Sequence, residues 1–171
     1  MEVTLAPLTE EYGKEVMAVF NYYIENSYAA YFEQCLPDAF FGRLLEMING
    51  YPAYVVKDTL SAQTIGFGFL RPYHPLPAFR ETAEISYFIA KEAVGNGLGK
   101  VLLDRLVREA KPMGIRRIMA SVSSLNEPSL RFHRKNGFKE CGRFCAIGKK
   151  KGSTFDVIWF QKKIKGTDGI N

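Results

Sequence analysis

Three glycines at alternate positions lie in the stretch Val94-Gly95-Asn96-Gly97-Leu98-Gly99-Lys100. Upstream of them, residues 83–90 are rich in β-branched and aromatic side chains, the composition of a strand. Downstream, Leu98, Val101, Leu102, Leu106, Val107 and Ala110 recur at helical spacing, with charged residues between them. A strand that delivers glycines into a helix start gathers backbone N–H groups at the positive end of the helix dipole. Such a cradle holds a phosphate or diphosphate; a glycine-rich turn without a ligand is the alternative. The dinucleotide fingerprint fails, because Lys100 stands where a third glycine is required and the strand over residues 116–122 carries no acid. A P-loop fails as well, since no Gly-Lys-Ser/Thr follows.

Other elements must position this cradle. Val3 to Leu5 reads as a first strand. Tyr12 through Ile24 reads as a helix with Thr9 as its N-cap, and Pro37 to Ile48 as a second helix stopped by Asn49-Gly50. Strands are predicted over 53–57, 65–70 and 82–90, with the proline-rich loop Pro72 to Pro77 between the last two. After the glycines come a helix to about Ala110, a strand over 117–122 and a helix over 127–135. Two strands, 138–144 and 155–162, close the sheet. This order fits an α/β sandwich around a mixed sheet, one domain over residues 1–165 with a loose tail at 166–171.

The spacing Val94-x-x-Gly97-x-Gly99 resembles the Arg/Gln-x-x-Gly-x-Gly/Ala loop of the Gcn5-related N-acetyltransferases, the GNAT superfamily. Val94 departs at the first position, which removes one side-chain donor and leaves the backbone amides. Residues 51–56, 78–84, 126–133 and Gly137-Phe138 fall in the order and spacing of the phosphinothricin acetyltransferase-like branch, which acetylates small amino acids and toxic analogues such as methionine sulfoximine. The resemblance covers the chain from Val3 to about Lys163. It implies a mostly antiparallel twisted sheet of about seven strands with about four helices, splayed between the fourth and fifth strands. It also implies acetyl-CoA as cosubstrate, a small-molecule amine as acceptor, no metal, and a homodimer.

The resemblance places an acidic base at Glu84 and an assisting imidazole at His133. An ion pair of Glu84 with Arg80 or a helix cation, and a packed or capping His133, are the structural alternatives. A carboxylate in a partly apolar cleft gains base strength, and an imidazole near its ordinary pKa of about 6.5 can accept and donate a proton. The cofactor is expected against Tyr87, Phe88 and Ile89, whose backbone would pair with the pantetheine amides. Val94, Gly95, Asn96, Gly97, Leu98, Gly99 and Lys100 would hold its diphosphate, and Asn126 and Ser129 its arm. Asn126 is also a natural helix N-cap. Phe32, Phe79 and Arg80 match the substrate side, where Arg80 would clamp a carboxylate or act as a structural cation. In the prolyl loop His74 and Leu76 replace the basic residues usual in the branch.

The 171 residues, 47% hydrophobic and 24% charged, are ordinary for one globular domain. No apolar run spans a bilayer and no basic-then-apolar leader opens the sequence, so a cytoplasmic protein without a membrane role is expected. The net charge of +5 is dispersed, without a nucleic-acid-binding motif, and suits a polyanionic cofactor. Three cysteines, an odd number, argue against a disulfide framework. A small-molecule N-acetyltransferase is the reading these features imply. A protein N-acetyltransferase and a non-catalytic acetyl-CoA sensor stand as alternatives.

Overall fold

In a computed structural model, residues 2–164 are described. They form strands β1 (Val3–Pro7), β2 (Ala53–Asp58), β3 (Thr64–Pro72), β4 (Thr82–Ile89), β5 (Arg117–Ser123), β6 (Lys139–Lys150) and β7 (Ser153–Lys163). The helices are α1 (Gly13–Asn26), α2 (Phe40–Met47), α3 (Leu98–Ala110) and α4 (Glu127–Lys135). One sheet runs in the order β1-β2-β3-β4-β5-β7-β6. Every neighbouring pair is antiparallel except β4 and β5, which the α3 crossover joins in parallel.

That parallel pair is short. Thr82, Ala83 and Glu84 lie against Arg117, Ile118 and Met119, and there the pairing stops. β3 nevertheless accompanies β4 to Ile89, and β7 accompanies β5 to Ser123. Beyond Glu84 the two halves of the sheet part, and the edge of β4 that faced β5 has no strand on it. The splay expected from the family resemblance is therefore present.

Two apolar clusters hold the halves. Around Phe67 gather Val16, Phe20 and Ile24 of α1, Phe41 and Leu44 of α2, and Val55 and Phe69 of the sheet. On the other face Leu103 and Leu106 of α3 and Leu130 of α4 pack on Leu70, Ile85, Ile118, Ile158 and Phe160. Each such side chain contributes about 1.5–3 kcal/mol by leaving water. The strand period of two and the helix period of 3.6 bring these residues to the same layer.

Most predicted elements form, with shifted ends. Thr9 does not cap α1: its side chain makes no cap hydrogen bond, and its hydroxyl donates to Glu11 Oε1 at 3.1 Å. A 3-10 turn over Glu10–Tyr12 intervenes, so the helix starts at Gly13 and continues past Ile24 to Asn26. β6 runs to Lys150 rather than ending near Phe144. Two register shifts, with Ala146 at φ 55, break its alternation and hid the second half from pattern reading. Cys35, Cys141 and Cys145 are all free thiols. The tail expected at 166–171 lies outside the described residues.

Phe67 is fully buried within the first apolar cluster. Phe67→Ala is expected to lower the unfolding free energy by about 3–5 kcal/mol, read from the midpoint of a urea titration.

Candidate active site

The cradle forms where β4 ends. A 3-10 turn over Lys91–Ala93 leads into the glycines, and Gly97, at φ 78, is the N-cap of α3. Gly95 and Gly97 both hold the left-handed backbone that an L side chain resists, which is why glycine is needed at these two positions. The first intrahelical bonds are donated by Lys100 N and Val101 N to the Gly97 carbonyl, at 3.0 and 3.2 Å. The N–H groups of residues 95–99 therefore donate to no group among the described residues. Five donors sit at the positive end of a 13-residue helix. Asn96 is exposed and ties the loop, its amide donating to the Ala93 carbonyl at 3.1 Å.

The cradle opens onto a cavity of about 740 Å³. Its walls are the end of α1 with Tyr23 and Asn26, the β4 residues Tyr87, Phe88 and Ile89, the loop residues Val94, Gly95, Gly97, Leu98, Gly99 and Lys100, and the α4 residues Asn126, Ser129 and Phe132. Of the residues predicted to bind cofactor, all except Asn96 line it. Asn126 serves in two ways. It caps α4 by accepting from Ser129 N–H at 3.4 Å, and it lines the cavity. A second, narrow cavity of about 70 Å³ continues into the splay, lined by Ile85 and Ser86 on one side and Ala120, Ser121 and Val122 on the other. Ala29, Tyr87, Phe88, Asn126 and Ser129 border both, so the two are contiguous.

Glu84 is the last β4 residue paired with β5, and it is 7% exposed. Its Oε2 accepts from the Arg71 guanidinium at 2.8 Å, and its Oε1 accepts from the Ser121 hydroxyl at 3.4 Å. The ion-pair partner is thus Arg71, the directly opposed residue on β3, and not Arg80. Tyr31 stands nearby: burial raises its phenol above the ordinary value, and the Glu84 charge adds to the rise.

His133 lies elsewhere. It is 3% exposed, with its ring stacked on Phe160 and edge-on to Phe138. Nδ1 is 2.8 Å from the Ser129 carbonyl, which can only accept, so Nδ1 carries the hydrogen. Nε2 accepts from the Tyr87 hydroxyl at 2.5 Å. Burial lowers the imidazole to about 4, against a smaller upward pull from the Ser129 carbonyl. In this arrangement the lowered value keeps the His133 ring neutral, and both of its nitrogens are engaged. Burial also pushes the Tyr87 phenol well above its ordinary value. Glu84 and Tyr87, three apart on one strand, point to opposite faces, so Glu84 and His133 are on opposite faces too. The inner cavity meets both sides through the split, touching His133 on one and Ser121 on the other.

The predicted substrate residues are not drawn together. Arg80 caps the 3-10 turn Pro77–Phe79 that precedes β4. It lines a separate hollow with Pro77, Glu81, Arg116 and Arg117. Phe79 packs on Tyr73 and His74, and Phe32 on Phe20 and Phe40, all in apolar contact. Among the described residues no group of His, Cys, Asp or Glu could hold a metal ion, and no helix is long and apolar enough to cross a membrane.

The model of the acetyltransferase (GNAT) family matches residues 17–138. The chain belongs to that family. It is therefore an acyltransferase of the N-acetyltransferase type, and its GNAT fold recurs closely in solved structures. A phosphinothricin acetyltransferase of this superfamily from Sinorhizobium meliloti, solved in complex with AcCoA, superposes with a TM-score of 0.90 at 28% identity, over 99% of this chain and 93% of that one. The ribosomal-protein-alanine N-acetyltransferase of Brucella melitensis gives 0.87 at 30% identity, over 94% and 99%. The L-methionine sulfoximine/L-methionine sulfone acetyltransferase of Pseudomonas paraeruginosa is 30% identical over 119 residues, 70% of this chain and 69% of that protein.

A buried neutral histidine couples stability to pH. Its folded pKa of about 4 lies below the ordinary 6.5, so the unfolded state binds the extra proton. The stabilisation is complete above about pH 6.5 and is lost as pH falls towards 4, about 3 kcal/mol in all. The slope of unfolding free energy against pH in that window should flatten in His133→Gln, as measured by urea titrations across the range.

Proposed function

We propose that this acyltransferase moves an acetyl group from acetyl-CoA to the primary amine of a small molecule, an amino acid or an analogue of the phosphinothricin and methionine sulfoximine type. The observation that carries the reading is the continuity of the cleft. The free N–H donors of Gly95, Gly97, Leu98 and Gly99 at the start of α3 lie on a cavity that follows the unpaired edge of β4 and narrows beside Ser121, the partner of Glu84. The donors suit a diphosphate, and the free strand edge suits a chain carrying amides. Lys100 and Lys135 border the wide end of the cavity and add positive charge there. Acetyl-CoA, when bound, supplies the acyl group as a thioester.

The remaining work falls to the chain. Attack forms the C–N bond and breaks the C–S bond, and the amine gives up a proton. Glu84 receives that proton, through the Ser121 hydroxyl or a water beside it, while Arg71 holds the other carboxylate oxygen in place. His133 assists indirectly, as the neutral acceptor that fixes the Tyr87 hydroxyl at the wall of the cleft. A protein acceptor is the second reading, favoured by the name of the Brucella relative. The aromatic contact of Tyr73 with Trp159 and Phe79 on the Glu84 side supports the smaller substrate. The homodimer implied by the family resemblance belongs to the same reading, and sedimentation showing only monomer would reject it.

Thiol release from acetyl-CoA should be seen with phosphinothricin, methionine sulfoximine or another member of an amino-acid panel; silence across the whole panel overturns the proposal. Glu84→Gln should reduce kcat/KM for the amine by about 10²-fold or more, with KM for acetyl-CoA within about threefold of wild type.

A further inference from the structure

Lys150, the last residue of β6, is completely buried. Its Nζ donates to the carbonyl oxygens of Ile24, Ser27 and Ala30, each at 2.7 Å, which uses all three of its protons. No carboxylate forms an ion pair with it among the described residues. Burial pushes the ammonium below its ordinary value, and Lys151 on its own hairpin adds to the shift. Glu33 and Cys35 from the segment after α1 oppose it.

A cation taken out of water without a counter-ion is an expensive way to hold a hairpin, and apolar packing would do so at lower cost. What this cation does is gather one segment. Ile24 belongs to the last turn of α1, Ser27 is its C-cap, and Ala30 lies beyond, so the ammonium closes carbonyls that the helix end leaves open. The same hairpin grips that segment twice more. Phe155 of β7 stacks on Tyr31 and meets Tyr28 edge-on, lying over Gly148, where a Cβ would come within 2.3 Å of its ring. Lys151 N–H donates to Glu33 at 3.2 Å. The gripped segment is a wall of the site. Ser27 and Tyr28 line the outer cavity, and Ala29 borders both the outer and the inner one.

We propose that Lys150 is a positioning residue for acetyl transfer: by gathering three carbonyls its ammonium fixes residues 27–31 as the wall where thioester and amine meet. The inference rests on the reading of the cleft as an acetyl-CoA site. The glycine cradle at the start of α3 is built without any residue of this wall or any contact to Lys150, so loss of the ammonium should act on turnover more than on cofactor binding.

The test compares the full chain with Lys150→Met, which keeps the apolar stem and removes the donors. The variant is expected to fold by circular dichroism, with amide exchange in residues 24–31 accelerated at least about tenfold while β3 and β7 stay protected. At saturating acetyl-CoA, kcat should fall at least about tenfold, with KM for acetyl-CoA within about threefold of wild type. Wild-type exchange in 24–31, wild-type kcat, or equal acceleration throughout the sheet overturns the proposal, the last being the mark of a merely structural lysine. Should Lys150→Met fail to fold, the wild type supplies the readout. Protection of residues 27–31, corrected for intrinsic exchange, should fall as rising pH neutralises the ammonium while that of β3 and β7 holds; a parallel fall overturns it. The exchange measurements stand whether or not any amine is acetylated, so a failure of the functional reading is seen separately, in the wild-type transfer assay.

Discussion

β4 and β5 exchange backbone hydrogen bonds over three residues and then separate, although each keeps its other neighbour to the end of the strand. The rest of the site depends on that interruption. A sheet paired throughout would spend the N–H and C=O groups of residues 85–89 on a strand, and no space would connect its two faces. Parted, it offers an unpaired edge to a ligand and a passage between the faces. The acid at position 84 stands where the parting begins, and the glycine bend at the start of α3 follows β4 after one 3-10 turn.

Polar groups buried around the opening are matched to it one by one. His133, Tyr87 and the Ser129 carbonyl form a chain from α4 to β4 with no net charge, which keeps the mouth of the split from closing or drifting. Glu84 is charged and buried, and Arg71 opposite it balances the charge. Among the described residues the hydrogen bonds of the Lys150 ammonium go to carbonyls, gathered from the end of α1 and the segment after it. Each arrangement joins two different elements of the fold. The apolar clusters hold the layers together, and these polar links fix where the layers stop.

Periodicity made most elements legible, because amphipathic helices and alternating strands repeat the same demand at every turn or pleat. Residues 98–110 and 127–135 are examples. The glycine bend was legible too, since glycines at a strand-to-helix junction leave few other arrangements of the backbone. What misled was local irregularity. Thr9 has the chemistry of a cap but precedes a 3-10 turn, and the bulged second half of β6 has no alternation to read.

The amino-acid sequence by itself determined the order of elements and the glycine bend at the start of α3, because these follow from local spacing; Glu84, Asn126 and Ser129 were singled out by the family resemblance. Only the tertiary structure decided who faces whom. Arg71 meets Glu84 through the β3–β4 register, Arg80 is left outside both cavities, and burial lowers the His133 imidazole below its ordinary value. Lys150, one of three consecutive lysines, is the only one of them fully enclosed. Register, desolvation and enclosure are properties of contacts between distant segments, and no local pattern of residue types encodes them.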